Sequence, residues 1–105
     1  MSFSKNYLNE CIEICNKIDA QEIENMASLI NSIRDNNGRI FFLGVGGGAG
    51  HAGHAVNDFR KICSIESYAP TDNVSELTAR VNDDGWDTSY VNWLKGSKLC
   101  KDDLL

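Results

Sequence analysis

With 105 residues, 42% hydrophobic and 24% charged, the chain has the size and composition of one small globular domain with a modest core. Ten basic against fifteen acidic residues leave a net charge of −5, which argues against nucleic acid or an anionic membrane surface as a partner. Apolar runs of only a few residues exclude a membrane span, and the opening MSFSKNYLNEC lacks the basic-then-apolar order of a secretory signal, so a cytoplasmic protein is expected.

Phe3, Tyr7, Leu8, Cys11, Ile12, Cys15 and Ile18 recur at helical spacing and predict one amphipathic helix. Asp19 stands three residues before Glu22, a capping-box arrangement that opens a second helix with its stripe at Ile23, Met26, Ala27, Ile30 and Ile33. Asn36-Asn37-Gly38 ends it, since Asn and Gly tolerate the left-handed conformation that closes helices.

Arg39-Ile40-Phe41-Phe42-Leu43 is continuously apolar after its first residue, the pattern of a strand buried on both faces of a parallel sheet. A glycine-rich loop follows, and then a helix with apolar positions Ala52, Ala55, Val56, Phe59 and Ile62. Ile65 to Ala69 reads as a second short strand halted by Pro70, and Thr71-Asp72-Asn73 caps a helix running through Leu77 and Val81. Asn82-Asp83-Asp84-Gly85 reads as a loop, and Trp86, Tyr90, Trp93 and Leu94 as a last amphipathic stripe whose tryptophans are expected to be packing residues. After the polar stretch 95–103 the chain stops on Leu104-Leu105, where a further buried strand would begin. One or two strands do not make a stable parallel sheet alone. The chain is therefore expected to be a fragment or truncated form, the alternative being a core completed by partner chains.

Cys11, Cys15, Cys63 and Cys100 contain no C-x-x-C pair. Burial as small hydrophobes is the expectation, with a redox or thiolate-metal role as the alternative.

Residues 43–59, LGVGGGAGHAGHAVNDF, hold six glycines and two histidines. Bare backbone between a buried strand and a helix lets N–H groups approach an anion closely, and the helix N-terminus adds positive partial charge. A dinucleotide fingerprint matches formally at Gly44 and Gly46 with Ala49 in third place, but the strand that should supply its acidic partner is weak. A phosphate-binding P-loop is excluded, because His51-Ala52 stands where Lys-Ser/Thr is required. At about 100° per residue, His51, His54 and Asp58 fall within roughly 60° of one another on the helix surface. His54 and Asp58, one turn apart, suit a divalent metal, proton transfer at a sugar carbon with Asp58 as base, or simply a solvated helix-supporting pair.

The order Leu43-Gly44-Val45-Gly46-Gly47-Gly48, then His54-Ala55-Val56-Asn57-Asp58, then Asn82-Asp83 with Gly85 and an aromatic behind it, resembles phosphoheptose isomerases. These are sugar-isomerase (SIS) domain proteins that interconvert sedoheptulose 7-phosphate and a heptose phosphate. The resemblance implies an α/β fold: an N-terminal helical segment over 1–37, then over 38–105 the first half of a flavodoxin-like, three-layer parallel-sheet SIS domain. It places substrate contacts on Val45, Gly46, Gly47, Asp58, Asn82 and Asp83, a zinc ligand on His54, and a zinc ligand that is also the catalytic base on Asp58. Proton abstraction beside the carbonyl through an enediol is the implied chemistry, with a phosphorylated sugar as ligand and a dimer or tetramer as the assembly. Departures are visible: Val45 replaces an amide side chain, Gly48 a serine, and Asp58 a glutamate one methylene longer. The family's second phosphate loop and its remaining metal and acid positions lie beyond what this chain spans, so the chain alone is expected to be inactive or nearly so. Two other readings stand beside this one: a non-catalytic sugar-phosphate-binding or assembly module, and half of a nucleotide-binding oxidoreductase.

Overall fold

The computed structural model describes residues 2–105. Five α-helices carry the chain: α1 Phe3–Lys17, α2 Ala20–Asp35, α3 Gly47–Lys61, α4 Val74–Asp84 and α5 Ser89–Gly96. Strands β1 Ile40–Phe41 and β2 Ser67–Tyr68 pair in parallel, Ile40 opposite Ser67 and Phe41 opposite Tyr68. A single turn of 3-10 helix, Pro70–Asp72, leads into α4.

The α/β expectation is therefore corrected. About 65% of the chain is helical and the sheet has two strands of two residues each, so the molecule is mostly helical and the described residues form no three-layer parallel-sheet architecture. The apolar run Ile40–Leu43 misleads because burial on both sides does not require more strands. Side chains alternate along β1, so Phe41 and Phe42 leave on opposite faces. Phe41 meets Trp93 of α5 edge-on, with ring centroids 5.6 Å apart and planes at 82°. Phe42 packs on the Ala52–Val56–Ala69 cluster and lies 5.1 Å from the Phe59 ring of α3. Each face of β1 is thus covered by a helix-borne aromatic, which satisfies the apolar run in very little sheet.

The second edge of β1 is closed from far along the chain. Leu104 forms an isolated parallel bridge to Ile40, in which Leu104 N–H donates to the Arg39 carbonyl at 2.8 Å and Phe41 N–H to the Leu104 carbonyl at 2.9 Å. Arg39 and Asp103 lock this bridge: Nε to Oδ1 is 3.0 Å and Nη2 to Oδ2 is 2.8 Å, a two-pronged pairing. The same guanidinium donates to the carbonyls of Ser97 and Lys98, at 3.0 and 3.1 Å, and Asp103 accepts from Cys100 N–H at 2.9 Å. With its side chain only 2% exposed, Asp103 is held ionised by these donors, the Arg39 hydrogen bonds foremost, and its pKa falls to about 2.

α1 and α2 behave differently. Ser2 and Asp19 cap them, Asp19 Oδ1 accepting from Gln21 N–H at 2.8 Å, and Asn37, at φ 55°, provides the left-handed exit from α2. Neither helix contains a buried residue. Phe3, Tyr7, Leu8 and Ile12 on α1 and Ile23 and Met26 on α2 are all exposed, Phe3 by 84%. An apolar groove of about 350 Å³ separates Met26, Leu29 and Ile30 of α2 from Ile40, Phe41 and Leu104. The radius of gyration, 17.3 Å, accordingly exceeds the roughly 13 Å of a compact domain of this length.

Other local expectations shift as well. All four cysteines are free and none is buried, contrary to the small-hydrophobe reading. Asn82, Asp83 and Asp84 form the last turn of α4 instead of a loop, and Trp86 precedes α5 and is exposed, whereas Trp93 is buried as expected.

Because the folded-state pKa of Asp103 lies below the unfolded value of about 3.9, its contribution is fully present above pH ~4 and is lost as pH falls through 2. Asp103→Asn is expected to lower stability at neutral pH by roughly 2 kcal/mol and to flatten the wild-type decline between pH ~4 and ~2. Urea unfolding across that range measures both.

Candidate functional site

The chain leaves β1 through Phe42 and Leu43 and reverses at Gly44-Val45-Gly46 to start α3 at Gly47. Helix thus begins inside the glycine run, at a cost of up to about 1 kcal/mol per interior glycine relative to alanine. Packing offsets it: Ala52 and Val56 are buried against Ala69 and Phe42.

The glycines divide by what surrounds them. At Gly44 a side chain is impossible, since a Cβ would overlap the Gly48 carbonyl and stand 2.7 Å from Ala49 N. This close approach seats the strand end on the first turn of α3. Gly46 is the N-cap, at φ 58° and ψ −121°, a conformation open to glycine and costly for any other residue. At Gly47, Gly48 and Gly50, by contrast, a Cβ would meet nothing within 4 Å. The protein's own packing does not account for their bareness.

Around this turn Gly48 N–H donates to Val45 C=O at 3.0 Å, and Ala49 N–H to Gly46 C=O at 3.1 Å. Among the described residues the N–H groups of Gly46 and Gly47 have no acceptor within the protein. They sit at the positive end of a helix of 15 residues. The Tyr90 hydroxyl of α5 donates to the Gly44 carbonyl at 2.5 Å, tying the turn to α5. Val45 is exposed at its apex.

His54 and Asp58 follow on α3, with Nε2 and Oδ2 3.1 Å apart. His54 is exposed and Asp58 partly buried. Asn82 Nδ2 donates to Asp83 Oδ1 at 3.0 Å at the end of α4. The expected site residues therefore fall into three places: the turn at Val45, Gly46 and Gly47, the His54–Asp58 pair, and the Asn82–Asp83 pair. No hydrogen bond or ion pair joins the two side-chain pairs among the described residues. Nor does any group of three or more His, Cys, Asp or Glu side chains converge there as a metal site. His54 and Asp58 offer two donors, whereas a protein zinc site uses three or four, so this donor set falls short by itself.

Tyr90 was not legible as part of this neighbourhood, whereas Trp86 entered the sequence reading as the aromatic behind Gly85. The helical spacing of Tyr90 signals packing, and only the Tyr90–Gly44 bond, between residues 46 apart in the chain, brings α5 to the turn.

Compared with protein-family models, with curated proteins and with solved structures, the chain finds no match.

The two kinds of glycine predict opposite outcomes. Gly44→Ala is expected to destabilise by roughly 2 kcal/mol or more through the clash with α3. Gly50→Ala, which adds a methyl in open space within the helix, should be stabilising by about 0.5–1 kcal/mol. Paired urea denaturation curves decide it.

Proposed function

We propose that this chain binds a phosphorylated sugar, with the phosphate at the free Gly46 and Gly47 N–H groups and the sugar extending toward side chains of α3 and α4. One observation carries the reading: the chain keeps Gly47, Gly48 and Gly50 bare where its own packing leaves room for side chains, directly around two unbonded backbone donors at a helix N-terminus. The ordered resemblance to phosphoheptose isomerases supports the sugar phosphate over other anions, and a nucleotide-binding oxidoreductase lacks comparable support.

In the aldose–ketose isomerisation that the resemblance implies, Asp58 is the base. It takes the proton from the carbon beside the carbonyl and, through the enediol, returns it to the neighbouring carbon, with His54 orienting the carboxylate. The carbonyl oxygen gains and the hydroxyl oxygen loses a proton by exchange with water. Asn82 and Asp83 are the polar groups offered to sugar hydroxyls. No step is assigned to zinc, because His54 and Asp58 supply too few ligands. Binding is expected of this chain, turnover is not, and a non-catalytic sugar-phosphate module remains the second reading on the same turn. Four free cysteines support a cytoplasmic setting, and among the described residues no helix is long and apolar enough to cross a membrane.

We infer in addition that the chain self-associates through α1 and α2. Two successive helices without a buried residue, and with aligned apolar side chains left in water, support this. An exposed stripe of this extent is larger than single scattered hydrophobes explain.

Calorimetric titration of sedoheptulose 7-phosphate, with and without zinc, tests the first proposal. Wild type is expected to bind, and Gly47→Val to abolish binding while retaining the wild-type circular dichroism spectrum. Zinc dependence that disappears in Asp58→Ala would restore the metal to the site, and absence of binding by wild type under both conditions would overturn the reading. For self-association, light scattering after size exclusion should give a multiple of the 11.6 kDa chain mass, returning to one chain in the Leu8→Glu/Ile12→Glu double variant. A wild-type monomer would refute it.

A further inference from the structure

Cys11 and Cys15 stand one turn apart on α1, where Cys11 is only partly covered and Cys15 is exposed. Neighbouring Cβ atoms at that spacing lie about 5–6 Å apart, whereas a disulfide needs about 3.8 Å. The two thiols therefore do not bridge within α1, and α2 carries no cysteine. The apolar residues beside them stay in water, with Leu8, Ile12, Ile14 and Ile18 each more than half exposed. A helix of this length without a packed face is marginal by itself. α2 lines the groove beside β1 with Met26, Leu29 and Ile30, so α1 is the helix that lacks a counterpart in its own chain.

The order of residues on α1 is self-complementary. Residues 8–18 read LNECIEICNKI, and the pattern of apolar and polar positions is unchanged when reversed about Glu13. Leu8 matches Ile18, Cys11 matches Cys15, Ile12 matches Ile14, and every polar residue falls on a polar one. At about 100° per residue, Leu8, Cys11, Cys15 and Ile18 share one side, Ile12 and Ile14 flank them, and Glu13 is directly opposite. The spacing of those four is that of a coiled-coil seam. A two-fold interface is made of the same patch on both copies. A helix that meets its own copy head to tail about Glu13 needs such a palindrome, and docking on an unrelated surface does not.

The charges agree. About that axis Glu10 of one copy stands one residue off level with Lys17 of the other, on one flank of the seam. Lys5 stands two residues off level with Asp19 of the other copy, on the second flank. Opposite charges thus face each other along both sides. Two lysines and two glutamates also leave α1 neutral in a chain of net charge −5, so the excess negative charge lies away from this contact.

We infer that two copies of this chain pair antiparallel through α1, with Cys11 of each copy opposite Cys15 of the other. This rests on the self-association reading and deepens it, because it gives the contact a register and makes it lockable by thiol oxidation. With glutathione disulfide as oxidant, each Cys11–Cys15 bond between copies forms as one glutathione disulfide is reduced to two glutathione thiols, which take up the two protons.

The test uses the full chain with Cys63→Ser and Cys100→Ser as background. Light scattering under reducing conditions is expected to give twice the 11.6 kDa chain mass. Glutathione disulfide should convert this dimer to a covalent one whose peptide map joins Cys11 to Cys15. Cys11→Ser and Cys15→Ser, each added alone, should remain dimeric by light scattering yet lose the covalent band, and mixing the two variants should restore it. If the reduced chain dimerises but either single variant cross-links as fully as the background protein, or the background protein does not cross-link at all, the antiparallel register is wrong and self-association stands. If the reduced chain is monomeric, self-association falls and the register with it.

Discussion

The pairing of Arg39 with Asp103 is the constraint on which the compact half of this molecule depends. It joins residues 64 positions apart and, together with the Leu104 bridge, holds the segment after α5 against β1. The two-pronged geometry matters, because a guanidinium that also caps the carbonyls of Ser97 and Lys98 fixes the direction of the returning chain as well as its distance. Leu104 is thereby delivered in register to Ile40, and β1 is hydrogen-bonded on both edges. A partly buried charge pair of this kind contributes modestly to net stability but is costly to break, since Asp103 left alone is an uncompensated charge in a nearly dry site. Its role here is to specify one arrangement.

From that fixed strand the candidate site follows by close packing. Phe41 and Phe42 bind α5 and α3 to opposite faces of β1, and the next four residues must turn the chain onto α3 in minimal space. Gly44 permits the contact and Gly46 the change of direction. The free N–H groups at the start of α3 are a by-product of this geometry, whereas the unfilled space around Gly47, Gly48 and Gly50 is not. Through Trp93 on Phe41 and Tyr90 on Gly44, α5 ties core and turn together, and the exposed Trp86 stands at its near end.

α1 and α2 share none of this long-range order. Local rules account for them: an N-cap at Ser2, another at Asp19, a helical stripe in each, and a left-handed exit at Asn37. Their apolar faces and the groove beside Ile40 remain uncovered, in keeping with the elongated shape.

Features set by near neighbours were legible from the residues alone. The limits of α1 and α2, the break at Asn37-Gly38, the glycine turn after an apolar run, the Asn73 cap of α4 and the facing of His54 and Asp58 all depend on spacings of a few residues, which helical geometry converts directly into position. Features set by distant partners were not. An apolar run such as Ile40–Leu43 has the same appearance whether strands or helix-borne aromatics cover it, so the sequence supported a larger sheet and the tertiary structure produced a mostly helical molecule. Burial of Trp93 but not Trp86, the ion pair of Asp103 with Arg39, and the arrival of Tyr90 at Gly44 were likewise decided only by the folded chain, because each depends on which surfaces meet across tens of residues and no local pattern encodes that choice.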